Sequence, residues 1–124
     1  MSIELNHTIV AATDNLETAR FLTELLGLEP PTDVGGGHFQ QVRLANDVVL
    51  DVMTVPAPIH PQHYAFLVSE QEFDEIFARI TERGLDFWAQ PDGSGAGEIN
   101  HRFGGRGVYF RSPDGHALEA LTAA

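Results

Sequence analysis

Residues 63–84 read HYAFLVSEQEFDEIFARITERG, and the fold of the whole chain can be argued outward from them. HYAFLV (63–68) is a short run rich in aromatic and branched side chains, as expected of a strand. Ser69 and Glu72 then stand at capping-box spacing: the hydroxyl can accept from the amide three residues on, while the glutamate reaches back. Phe73, Ile76, Phe77 and Ile80 form an apolar stripe at helical period, and Gly84 ends the helix. The same order occurs earlier. LNHTIVAA (5–12) reads as a strand, and Asp14 with Glu17 forms a cap. Leu16, Ala19, Leu22 and Leu26 recur at helical spacing with Leu25 beside them, and Gly27 takes the C-cap place. Gly84 follows Gly27 at nearly the offset at which His63 follows His7, the mark of a duplicated supersecondary unit.

After each helix the period of 3.6 stops. HFQQVRLA (38–45) and DVVLDVM (47–53) read as strands joined by a turn at Asn46–Asp47, with room for a short strand or loop near Pro30 and Pro31. Pro56, Pro58 and Pro61 mark a linker, because proline cannot continue a central strand. In the second half, LDFWAQ (85–90), GVYFRS (107–112) and HALEALT (116–122) read as three strands. A Gly-rich loop spans 91–106, and Pro113-Asp114-Gly115 makes a tight turn. The expectation is an α+β fold of two βαβββ modules forming a cupped sheet. The first module covers about 1–55, the linker 56–62 and the second module about 63–124, all within a single domain of 124 residues.

Composition narrows the function. With 18 acidic residues against 7 basic ones the formal net charge is −11, which disfavours nucleic acid and anionic membrane surfaces as partners. Cysteine is absent, so disulfide and thiolate chemistry are excluded and a cytoplasmic location is the default expectation. MSIELNHTIV lacks the features of a signal peptide, and no apolar run approaches the ~18 residues needed to cross a bilayer.

The repeat places chemistry at matched positions. His7 opens the first strand of one half and His63 that of the other, while Asp51 and Glu119 lie in the last strand of each. Should the halves pair through a pseudo-twofold, these groups converge on one cup. Two imidazoles with one or two carboxylates suit Zn, Ni, Mn, Co or Fe(II). Alternation puts His63 on the face opposite Tyr64, Phe66 and Val68, and Glu119 opposite Leu118 and Ala120. Read singly, each has a plainer explanation: a hydrogen-bonded or surface histidine, an edge-exposed aspartate, a solvent-facing glutamate. The matched set carries the metal reading. The other histidines, 38, 60, 101 and 116, read as surface or loop residues. The loop segment NHRFGGRG (100–107) leads to Tyr109 and Arg111. Asn100, Arg106 and Tyr109 are its candidates for substrate binding, since arginine forks bind anions and glycines allow close approach. A solvated hairpin loop is the alternative. Trp88, Phe39, Phe103 and Tyr109 are candidates to wall an apolar pocket or to fill the core.

These residues carry a resemblance. Asn6-His7-Thr8, Phe21 with Leu25-Leu26-Gly27-Leu28, Val49-Leu50-Asp51, His63 to Val68, and above all Ser112-Pro113-Asp114-Gly115-His116-Ala117-Leu118-Glu119 resemble the vicinal oxygen chelate superfamily. Its members include glyoxalase I, fosfomycin- and bleomycin-resistance proteins and extradiol dioxygenases. The resemblance spans essentially the whole chain. It implies that His7, His63 and Glu119 are metal ligands, and that the protein is a homodimer acting on a small molecule. Glyoxalase-like members carry a glutamate where this chain has Asp51, one methylene shorter. Asp51 is therefore a candidate fourth ligand or proton shuttle, and Glu119 a catalytic candidate as well as a ligand. The expected function is a metal-dependent enzyme, a glyoxalase-like lyase or isomerase or a thiol transferase, acting on an oxygen-chelating substrate. Fe(II) oxygen chemistry is a related option. A non-catalytic antibiotic-binding protein is the alternative.

Overall fold

A computed structural model describes residues 2–124. The chain divides between His60 and Pro61, inside the expected linker, into two compact units.

In the first unit, β1 (His7–Ala12) leads to α1 (Asn15–Leu26), followed by β2 (Thr32–Val34), β3 (Phe39–Arg43) and β4 (Val49–Thr54). The sheet order is β1-β4-β3-β2, with β1 parallel to β4 and the other pairs antiparallel. The Asp14 carboxylate accepts from the Glu17 amide at the start of α1, and Gly27 takes a left-handed φ of 73° at its end. Asn15 is buried and ties the helix start to the rest of the unit: its backbone N–H donates to Thr54 Oγ1 at 3.0 Å and its side-chain amide to Gly37 O at 2.9 Å. Val10, Ala12, Val42, Leu50 and Val52 form the buried face of the sheet, and Ala19, Leu22 and Leu25 the buried face of α1.

In the second unit, β5 (His63–Leu67) leads to α2 (Glu70–Glu82), then β6 (Gly107–Arg111) and β7 (Ala117–Leu121), in sheet order β5-β7-β6. β5 runs parallel to β7, and β6 antiparallel to it. The Ser69–Glu72 capping box is complete, with both reciprocal bonds made. Phe66, Val108, Phe110, Leu118 and Ala120 on the strands and Phe73, Ile76 and Ile80 on α2 are the buried core.

Both units follow the expected α+β order, with one correction. Residues 85–90 are not a regular strand. Only Trp88 bridges to the sheet, exchanging backbone bonds of 3.0 and 2.9 Å with Tyr109. The neighbouring backbone groups bond instead to the following loop, Ala89 N–H to Gly95 O and Gly97 N–H to Phe87 O. Alternation read from side chains cannot show where amides spend their bonds. A second correction concerns His116, expected at the surface. It is fully buried, its Nδ1 accepts from the Gln62 amide at 3.0 Å, and its ring meets Tyr64 edge-on. Among the described residues no helix is long and apolar enough to cross a membrane.

Candidate functional site

Strand register decides which side chains share a surface. In the second unit His63, Ala117 and Arg111 lie in one row across the sheet, and Ala65, Glu119 and Tyr109 in the next, extended by the Trp88 bridge. Every residue in these rows points to the face opposite the core, because side chains alternate along a strand. On that open face His63 Nε2 lies 3.0 Å from Glu119 Oε1. The histidine is about half exposed (47%), and the glutamate is largely covered (12%). The Tyr109 ring stands 5.8 Å from that of His63. Burial pushes the Tyr109 phenol above its ordinary value. The bond from Arg102 opposes that shift, and the nearby Glu119 carboxylate adds to it. The phenol is therefore a protonated donor at neutral pH.

In the first unit His7 and Asp51 also share the open face. His7 is opposite Val49 and Asp51 opposite Ile9, so they sit one row apart on adjacent strands. His7 Nδ1 lies 2.9 Å from Asn6 Oδ1, so one ring nitrogen is engaged and Nε2 is left for another partner. Asp51 is buried and accepts from Gln41 Nε2 at 2.9 Å.

The donors fit a divalent ion. His63 and Glu119 make a 3.0 Å hydrogen-bonded contact with each other, which a bound cation would have to replace. A neutral imidazole nitrogen and a carboxylate oxygen are the donor types that Zn, Ni, Mn and Fe(II) accept. Among the described residues no group of three or more His, Asp or Glu side chains stands close enough together to hold a metal ion.

The remaining candidates separate. Tyr109 belongs to the open face. Asn100 is buried; its amide donates to Ala89 O at 2.8 Å and its Oδ1 accepts from the Arg102 amide at 3.2 Å. A Cβ on Gly107 would come within 2.8 Å of that Asn100 oxygen, so a glycine is needed for the two to cross. Asn100 thus shapes the loop. Arg106 is turned to the helix side: it pairs with Glu70 at 2.8 Å and Asp74 at 2.9 Å and lies over the Phe73 ring at 4.4 Å. The arginine of that loop that meets Tyr109 is Arg102 rather than Arg106. Arg102 Nη1 donates to the Tyr109 hydroxyl at 3.2 Å, and Nη2 bonds to Gln90 Oε1. Strand parity was the missed signal. If Tyr109 faces the site, so do Gly107 and Arg111, and Arg106 faces away. Phe103, next to Arg102, is exposed and holds a left-handed φ of 57°, a costly conformation for a bulky residue and one that tends to occur at functional sites.

Residues 4–120 match the Glyoxalase/Bleomycin resistance protein/Dioxygenase superfamily. "Glutathione transferase FosA" of Serratia marcescens is 31% identical over 120 residues, covering 93% of this chain and 77% of that protein. The solved structure titled "Oxidase ChaP-H1" is 57% identical with a TM-score of 0.96, covering 99% of this chain and 98% of that one. "Oxidase ChaP-H2" is 53% identical with a TM-score of 0.95, covering 100% and 96%. Because the family match spans nearly the whole chain and takes in both half-units, the protein belongs to the Glyoxalase/Bleomycin resistance protein/Dioxygenase superfamily.

Proposed function

We propose that the protein is a metal-dependent oxidase of a small substrate that presents two neighbouring oxygens, with His7, His63 and Glu119 as the metal ligands and O₂ as the oxidant. The observation that carries this reading is the His63–Glu119 donor pair on an open sheet face, with a protonated tyrosine beside it. Two imidazoles and a carboxylate leave coordination positions open, and Fe(II) bound there supplies Lewis-acid polarisation and access to oxygen. The whole-length likeness to two oxidases supports oxygen chemistry over thiol transfer. A thiol transferase is the second reading, favoured by the 31% identity with the glutathione transferase.

The chain's own residues have separable tasks. Tyr109 Oη offers a hydrogen bond to a substrate oxygen and keeps its proton through burial. Arg102 holds that hydroxyl in place while resting on Gln90. Glu119, largely covered, sits where a carboxylate is expensive unless it is paired or bound to a cation. Asp51, hydrogen-bonded to Gln41, is a carboxylate on the His7 face that can accept a proton or act as a fourth ligand.

The test is anaerobic reconstitution with Fe(II), followed by metal analysis and oxygen uptake with catechols and hydroquinones. About one equivalent of iron and substrate-dependent oxygen uptake are expected, with both lost at least tenfold in His63→Ala and Glu119→Gln. Metal binding with glutathione consumption on fosfomycin and no oxygen uptake would favour the transferase. Binding of bleomycin-type drugs by a protein that takes up no metal would make it a sequestering protein.

A further inference from the structure

The open face of the second unit holds more than the metal donors. Beside the Trp88 bridge lies a cavity of about 640 Å³ lined by Leu85, Asp86, Phe87, Trp88, Ala96 and Arg111. Its walls are mainly apolar, with one charged side chain of each sign, Asp86 and Arg111. The Arg111 guanidinium carbon lies 4.8 Å from the centroid of the Trp88 ring. That stack is its contact. Among the described residues no carboxylate pairs with Arg111, whereas Arg106 holds two. A guanidinium laid on an arene is held flat, with its N–H edges free to fork onto a carboxylate. Trp88 itself is 7% exposed, and its indole N–H is buried without a hydrogen-bond partner.

We propose that this cavity is a subsite for the acidic end of an aromatic organic acid, with the ring against Phe87 and Trp88 and the carboxylate on Arg111. Its relation to the donor pair follows from register. Arg111 and His63 lie in one row with Ala117 between them, so their backbones are two strand spacings, about 10 Å, apart. A ligand seated in the slot and reaching the donor pair therefore carries its acid at one end and its chelating oxygens at the other. That orientation rests on the metal-site reading; the existence of the slot does not.

The experiment uses the full chain with a chelator present, so that loss of the metal reading leaves this one untouched. Benzoate is the probe, benzamide its neutral counterpart, and binding is followed by calorimetry and by emission of Trp88, the only tryptophan in the chain. Benzoate is expected to bind and to change the emission, with benzamide at least tenfold weaker. Arg111→Gln should remove most of that preference, while Arg20→Gln, an equal charge change on exposed α1 surface, should leave it intact. No heat and no emission change at millimolar benzoate would overturn the proposal. So would equal binding of the two probes, or benzoate binding that Arg111→Gln does not weaken.

Discussion

Arg102 and Arg106 stand four residues apart in one loop and do different work. Arg106 spans to α2 through Glu70 and Asp74, whose side chains are more than half exposed. Ion pairs this exposed are weakened by solvent, and the Phe73 stack adds a little. Arg106→Gln should therefore lower the urea midpoint only slightly and leave metal content unchanged. A change in metal content would put Arg106 back on the binding face. Asp51 is a different case. It is buried on the His7 face with a neutral partner, Gln41, so Asp51→Asn keeps the hydrogen-bonding shape and removes the charge. It should change turnover more than metal content. An equal loss of both, measured side by side, would make Asp51 a ligand. Parity carried back from β6 could turn Arg106 away from the Tyr109 face, but it could not pick out Arg102, which has the same parity and lies in the short 3-10 turn at 102–104; nor could it show the burial of Asn100 against Ala89 O. That burial depends on how a Gly-rich loop folds back, which no period in the sequence reports.

At the level of elements, α2 is held at its N-terminus by side chains that titrate. The amide and hydroxyl of Ser69 pull the Glu72 carboxyl below the ordinary glutamate value. Thr122 and Arg106 do the same to Glu70. A carboxylate with a depressed folded-state pKa contributes stability above the ordinary value and loses it as pH falls through the depressed one. The unfolding midpoint should thus fall as pH drops below about 4.5, with α2 responsible for part of the slope. Ser69→Ala should cost about 1 kcal/mol at pH 7 and flatten that acid slope. An unchanged slope in thermal melts from pH 6 to 3 would show that the acid sensitivity arises elsewhere. The caps, the helix stripes and the glycine stop at Gly27 were legible because they are local. The segment 85–90 was not. Its composition is that of a strand, but its amides bond to the 93–97 loop. Hydrogen-bond partners distant in sequence decide that contest.

For the whole molecule, a bound ion couples metal and fold. A ligand that binds only the native state at 1,000 times its dissociation constant stabilises by about 4 kcal/mol. Chelator treatment of reconstituted protein should therefore lower the melting temperature by many degrees in wild type and by almost nothing in His63→Ala. His7→Ala should behave like His63→Ala although the two residues belong to different units. Retention of the metal-linked shift in His7→Ala would confine the site to the second unit. Sequence alone determined the α+β class, the capped strand–helix opening repeated in each half and the residue types able to hold an ion. Each of these follows from periodicity, capping chemistry and repeated placement, which are properties of neighbours along the chain. Tertiary structure decided that His63 and Glu119 touch, that Tyr109 meets Arg102, that Arg106 turns away, and that Arg111 lies on Trp88 beside a cavity. The physical reason is register. Which residues stand side by side across a sheet is set by backbone hydrogen bonds between segments far apart in sequence, and no single segment encodes its partner.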